Sequence, residues 1–303
     1  MDSMILLMVY FAMGIALRRS GRLPANAHSV LNSFIIHVSL PALTLVSVHR
    51  LSLSTSLLTP VLLTWVTFGV GCAFFWWVGR LLQWRRGTMG ALMLTGALAS
   101  TSIVGLPMIE AHFGRQSLGL GILIGQAGTF LCLSTFGVLV ATICAQGKMP
   151  SLTVLAKKVF TFTPFLALLL ALALMPVSYP VWVEALLDRL GGILVPLAII
   201  SAGYQVQLSQ TQNRLPELAT GIVFKLVLAP LVLGLLYAGL FGARGEVAQI
   251  AIFQAAMPSQ VAAAIIAMEH DLDPQLAALM AGVSVPLSFL TIPLWRQALD
   301  MIA

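Results

Sequence analysis

Read from its first residue, the chain alternates between long apolar runs and short polar breaks. Ten runs can be marked, at residues 3–17, 27–48, 55–80, 88–112, 116–145, 159–176, 181–206, 216–240, 246–269 and 274–299. Most exceed ~20 residues, the length of helix that crosses the hydrocarbon core of a bilayer. Inside lipid a backbone N–H or C=O finds no water, so runs of this length predict helices rather than strands. The first run is the shortest and is read as reaching Met1. Its charges, Arg18, Arg19 and Arg22, follow the apolar stretch, whereas a secretory leader carries them in front, so this segment is expected to be retained as a helix.

The longest polar connection, residues 146–158, separates five runs from five. Five is odd, so a duplicated second half would enter the membrane upside down. The prolines are consistent with such a duplication. Pro24, Pro41, Pro60 and Pro107 have counterparts in Pro180, Pro196, Pro216 and Pro258, at offsets of 156, 155, 156 and 151. The expected fold is therefore an all-α polytopic membrane protein of ten transmembrane helices, in two inverted five-helix repeats. Residues 1–145 form the first repeat, 146–158 a cytoplasmic connecting loop, and 159–303 the second repeat.

Composition supports a lipid environment. Of the 303 residues, 59% are hydrophobic and 9% charged, and the mean hydropathy is +0.99. A soluble domain carries charge on roughly a quarter of its residues, because its surface faces water. The net charge of +6 does not indicate nucleic acid, because the basic residues stand in short clusters between apolar runs. Counted on alternate connections, Arg18, Arg19, Arg22, Arg80, Arg85, Arg86, Lys148, Lys157, Lys158 and Arg214 lie on one side. Arg50, Arg115, Arg189, Arg244 and Arg296 lie on the other. The richer side is expected to be cytoplasmic, which puts both termini outside a cell inner membrane. Cys72, Cys132 and Cys144 sit inside apolar runs without metal-ligand spacing, and read as small packing residues. No nucleotide-binding GxxxxGK[ST] occurs, which excludes ATP-driven transport by this chain alone.

Two runs are interrupted. The fourth reads GALASTSIVGLPMIEAHFG (96–114), with Ser100, Thr101, Ser102, Gly105 and Pro107 where an ordinary span would carry Leu and Ile. The ninth reads IFQAAMPSQVAAAIIAMEH (252–270), with Gln254, Met257, Pro258, Ser259 and Gln260 clustered alike. Proline removes a backbone donor and glycine weakens a helix. Such segments at corresponding places in two halves point to a transporter's binding site. The helix ends at a break present free N–H groups and a positive dipole end, which suit a carboxylate. The plainer alternative is a pair of proline kinks in packed helices.

Other residues are weighed in the same way. Lys225 lies inside the eighth run, where it either pairs with a substrate carboxylate or snorkels to an interface. Glu110 with His112, and Glu269 with His270, could couple transport to protons, but their helix-end positions favour plain solvated charge. Gly121, Gly125 and Gly128 form a small-residue stripe that close helix packing explains. Ser284 and Ser288, one turn apart, are assigned to hydrogen bonds within the bundle.

The chain resembles the auxin efflux carrier family, which includes bacterial malate-permease-type carriers and shares a superfamily with bile acid/sodium symporters. The likeness is carried by YFAMGIALRRSGRLPANAHSVLNSFIIHVSLPALTL (10–45), the GLP of 105–107, FKLVLAPLV (224–232) and AAMPSQV (255–261), and it covers essentially the whole chain. The resemblance implies that helices 4 and 9 are broken and cross at the substrate site. It also implies that helices 1, 2, 6 and 7 form a scaffold, that helices 3–5 and 8–10 form a transport unit moving like an elevator, and that substrates bear carboxylates. Family members often carry Asn-Thr-Gly before the GLP, where this chain has Ser100, Thr101 and Ser102. An Asn is also frequent where this chain has Ala262. Both departures argue against auxin itself as the substrate.

The expected function is secondary transport of a small organic anion by alternating access. The candidate substrate contacts are Ser100, Thr101, Ser102, Gly105, Pro107, Lys225, Met257, Pro258, Ser259 and Gln260. No cofactor, metal or nucleic-acid partner is expected. The coupling ion, H+ or Na+, is left open, as is a homodimer. The rival readings are a sodium-coupled symporter of the bile acid type, a non-transporting receptor, and an intramembrane enzyme. The last suffers because every histidine except His37 lies toward a run end or outside.

Overall fold

The computed structural model describes residues 2–24, 26–49, 58–146, 153, 157, 160–161, 163–205, 214–237 and 245–300. The connection 146–158 with Lys148 and Lys158 falls almost wholly outside these residues, as do Arg50 and Arg244. Among the described residues the chain is helical, with one isolated two-residue β-bridge and no strand.

Among the described residues six helices are long and apolar enough to cross a membrane on their own. They are α2 (Ala27–His49), α3 (Leu58–Leu81), α6 (Arg115–Ala145), α8 (Val181–Tyr204), α9 (Leu215–Leu236) and α12 (Pro274–Asp300). The first apolar run is α1 (Asp2–Ser20), and the sixth is the short α7 (Thr163–Ala173). The fourth run is divided into α4 (Arg86–Ala97) and, after a non-helical step and a π-helical turn at Thr101–Gly105, α5 (Leu106–Phe113). The ninth is divided into α10 (Glu246–Ala255) and α11 (Val261–Glu269). Length and composition therefore support six uninterrupted spans where the apolar pattern predicts ten.

The chain folds as two units. The first comprises Met1–Leu53, Thr101–Gln126 and Phe160–Val206, and the second Ser54–Ser100, Ala127–Val159 and Gln207–Ala303. In the first unit, α1 and α8 touch backbone to backbone. Gly14 faces the Ile200 carbonyl, and a Cβ placed on Gly203 would run into the Phe11 carbonyl oxygen. In lipid no hydrophobic force drives helices together, so close approach between small residues supplies the packing. The same seam carries polar contacts: Ser201 Oγ donates to Asn32 Oδ1 at 2.7 Å, and the Tyr204 hydroxyl meets the Pro24 carbonyl at 2.9 Å.

The second unit is built around Phe75 and Phe224, both fully buried with ring centroids 4.9 Å apart. Gly71 and Gly96 leave the room that Phe224 and Phe75 occupy. At one end Asp273 joins three elements. Thr88 Oγ1 donates to its Oδ2 at 2.8 Å, Arg214 Nη2 lies 3.3 Å from the same oxygen, and the Leu276 N–H reaches Oδ1 at the start of α12.

Three π-helical turns occur immediately before prolines: Ile35–Ser39 before Pro41, Thr101–Gly105 before Pro107, and Phe224–Leu228 before Pro230. Proline offers no N–H to the carbonyl four residues back, and its ring presses on that carbonyl. A widened turn relieves the clash but leaves an acceptor to be satisfied. For Pro230 that carbonyl belongs to Leu226, and Trp295 Nε1 donates to it at 2.8 Å. Trp65 does the same in the π-helical stretch Ile124–Phe130, donating to the Ala127 carbonyl at 3.1 Å.

Two stability predictions follow from these contacts. Gly203→Leu overpacks the α1–α8 seam and should cost about 1–3 kcal/mol, read as a lowered thermal midpoint in detergent, while Gly192→Leu, in open space, should leave the midpoint nearly unchanged. Trp295→Phe keeps the ring but orphans the Leu226 carbonyl, and should lower stability by ~1–3 kcal/mol in the same assay.

Candidate functional site

The two interruptions lie side by side in the second unit. After α4 ends at Ala97, residues Leu98–Ser100 run extended. They pair antiparallel with Pro258–Gln260: the Ser100 N–H donates to the Pro258 carbonyl at 2.8 Å, and the Gln260 N–H to the Leu98 carbonyl at 3.2 Å. A lone extended segment within a membrane span would leave its peptide groups bare, and each such group costs several kcal/mol in lipid. Two extended segments that bond to each other avoid part of that cost. A third element contributes as well, since Ser284 Oγ of α12 accepts from the Ser259 N–H at 3.0 Å.

These pairings do not use every polar group at the break. Ser259 is fully buried, and among the described residues its Oγ has no hydrogen-bond partner, nor has Gln260 Oε1. Gln260 occupies the N-cap position of α11, yet its side chain does not cap. The first intrahelical bond runs from the Ala264 N–H to the Gln260 carbonyl. The N–H groups of Val261, Ala262 and Ala263 therefore point out of the helix start without intrahelical acceptors. Together they make a patch of donors at the positive end of a helix dipole, with a hydroxyl and an amide beside it.

The other end of the break is treated differently. Lys225 is 1% exposed, and its Nζ donates to the carbonyl of Ala255, the last residue of α10, at 2.9 Å. It does not snorkel to an interface, which was one of the two roles its position in the sequence allows. It lies instead buried in the widened turn Phe224–Leu228, next in sequence to Phe224, whose ring packs against Phe74 and Phe75. Met257 and Pro258 are fully buried between the two helix ends.

The remaining candidates from the fourth run lie in the first unit. Thr101 is buried and faces Gly125, where an added Cβ would stand 3.1 Å from Thr101 Oγ1 and 3.8 Å from Ser102 Oγ. Gly105 and Pro107 are buried within continuous helix, not at a break. The interruption lies seven to nine residues before Pro107, at Leu98–Ser100, because the π-helical turn absorbs the proline. Of the ends, Glu110 meets Arg115 at 3.5 Å, and Arg115 also reaches Asp188 at 3.5 Å. His112 Nδ1 lies 3.0 Å from the Met108 carbonyl and His270 Nδ1 2.9 Å from the Ile266 carbonyl, each one turn back. Glu269 is exposed.

The structure thus brings together Ser100, Met257, Pro258, Ser259 and Gln260, with Lys225 capping the preceding half-helix. Three contributors carry little or no signal in the sequence. Ser284 binds the break, where the sequence suggests ordinary bundle bonding; its one-turn spacing from Ser288 is the only signal that singles it out. Leu98 and Ala99 carry no compositional signal at all, because they act through their backbones.

Comparison with known proteins places this geometry in context. A family model described as "Membrane transport protein", the auxin efflux carrier-type family, matches residues 1–296. An "uncharacterized transporter" of Methanothermobacter thermautotrophicus is 27% identical over 305 aligned residues, covering 98% of each chain. A second "uncharacterized transporter", from Methanocaldococcus jannaschii, is 21% identical, with 97% of each chain covered. Apolar spans, a divided pair of helices with unspent polar groups, and a match along nearly the full length agree: this chain is a multi-pass membrane protein and belongs to the auxin efflux carrier-type membrane transport family.

Proposed function

We propose that the protein is a secondary carrier of small organic anions, with the anion held at the start of α11. The observation that supports this most directly is the uncapped helix start beside the unpartnered Ser259 Oγ and Gln260 Oε1. Each buried polar group left unpaired costs about 1–3 kcal/mol. A ligand that satisfies several of them recovers that free energy on binding. Donor N–H groups at a positive dipole end select for negative charge, and a carboxylate matches them with two acceptor oxygens. Gln260 supplies an amide that can rotate to donate or accept, and the Ser259 hydroxyl does likewise.

In this reading the carrier alternates access by an elevator-like motion, with the two halves of the chain as inverted repeats and the breaks of the fourth and ninth runs forming the site. The transport step is binding and release. No bond is made or broken in the substrate, and the chain needs no cofactor for it.

Counterflow in proteoliposomes, with a panel of mono- and dicarboxylates, tests the proposal: at least one carboxylate should exchange, while neutral amide analogues should not. No exchange of any carboxylate by a folded protein would remove the anion reading. Ala262→Asp separates transport from folding. A carboxylate in the first turn favours the helix by ~0.3–1 kcal/mol, yet it occupies the field that the substrate needs. The variant should keep the wild-type thermal midpoint or exceed it, and lose counterflow by about tenfold or more. Pro258→Ala should likewise impair flux more than folding.

A further inference from the structure

We propose that the Lys225 ammonium is a built-in cation that takes the place of a coupling sodium ion, leaving the break selective for anions alone. This deepens the carrier reading and rests on it.

A break in a membrane helix creates two ends of opposite sign. The start of the following half-helix presents N–H groups and attracts anions. The end of the preceding half presents carbonyls and attracts cations. Carriers with divided helices use both ends, the second for sodium or a proton. Here five residues separate the two ends, Ala255 closing α10 and Val261 opening α11. Only the start of α11 is open. The end of α10 is occupied by Lys225, whose Nζ stands 2.9 Å from the Ala255 carbonyl.

The lysine is fixed there by its own helix. It lies in a π-helical turn that Pro230 imposes, with Phe224 on one side packed against Phe74 and Phe75, and Leu226 on the other held through its carbonyl by Trp295. Among the described residues no carboxylate forms an ion pair with it. A buried ammonium without a carboxylate is costly, and the negative end of a half-helix is the compensation that the second unit offers. A tethered cation is not released on each cycle. Transport should then run equally in sodium and in choline, with the bound anion adding its own charge to the cycle.

The test needs no knowledge of the substrate. The purified full chain is heated in choline chloride, sodium chloride or n-propylammonium chloride, and unfolding is followed by tryptophan fluorescence. The wild type should give one midpoint in all three salts. Lys225→Ala, which leaves a charge-free cavity beside Ala255, should unfold earlier in choline and regain about 2–4 °C in propylammonium. Lys225→Met fills the cavity without charge and should gain nothing. A sodium-raised midpoint in the wild type overturns the proposal and requires no variant to fold. Equal midpoints of Lys225→Ala in all salts, or equal gains by the Ala and Met variants, overturn it too. If Lys225→Ala cannot be recovered from membranes, Lys225→Gln keeps a donor to Ala255. It should transport about tenfold more slowly than wild type in choline, with sodium restoring part of the loss, and wild-type flux in choline would refute the role. Normal cation responses with no counterflow of any carboxylate would sink the carrier reading and leave the cation in place. A Lys225 that instead touched the substrate would show itself as a raised KM that no added cation corrects.

Discussion

A peptide group inside a membrane has to find its partner within the protein, and this structure is organised by the places where a regular helix cannot supply one. Several departures from α-helix in the second unit are met by a named donor or acceptor. The indole of Trp295 serves the carbonyl freed by Pro230, and the indole of Trp65 serves the carbonyl of Ala127. Leu98 and Ser100 bond with Gln260 and Pro258, and Ser284 receives the N–H of Ser259. Lys225 caps Ala255. These repairs come from four different helices, so the irregular backbone is held from several sides. At the break itself they leave over N–H groups at the start of α11, a serine hydroxyl and a glutamine side chain. The remainder is the candidate site, and its sign follows from which end of the break was left unrepaired.

Proline has two distinct roles here, and only one interrupts a helix. Pro41, Pro107 and Pro230 each follow a π-helical turn, within which the chain continues as helix. Pro286 and Pro293 lie inside α12 with no interruption at all. Pro258 sits in a true break, and its carbonyl accepts from Ser100. The difference lies in what surrounds each ring. A proline followed by good helix formers is absorbed by one widened turn. Around Pro258 the backbone bonds outward instead, to Leu98 and Ser100 and to the Ser284 hydroxyl, and the helix stops.

Much of the architecture was legible in the apolar pattern, because a twenty-residue requirement is a strong filter. The predicted run 27–48 became Ala27–His49, 55–80 became Leu58–Leu81, and 274–299 became Pro274–Asp300. The interrupted character of the fourth and ninth runs could be read from their serines, glycines and prolines. The position of the fourth-run break could not. Composition marks the cluster Ser100, Thr101, Ser102, Gly105 and Pro107, whereas the chain leaves the helix at Leu98–Ser100, overlapping that cluster only at Ser100. Leu98 and Ala99 are ordinary helix formers; they are extended because Pro258–Gln260 offer them backbone bonds across 160 residues of sequence. A tertiary partner overrides local propensity there, and no local window can register it. The same holds for Lys225: the sequence shows a charge in an apolar run, but the carbonyl it serves lies thirty residues away.

The pairing of Lys225 with Ala255 also bears on how such a site can move. Carrying a bare carboxylate through lipid is prohibitive, and so is carrying bare helix ends. The second unit holds one fixed positive charge beside the break, and an anion bound at α11 would bring the local sum toward zero. Loaded, the site would approach neutrality; empty, it keeps an ammonium compensated by the Ala255 carbonyl and a helix dipole worth about half an elementary charge. That asymmetry alone gives the loaded and empty forms different costs of desolvation. On the proposed carrier reading, unequal costs of this kind would bind movement to occupancy with Lys225 in the place of a second ion.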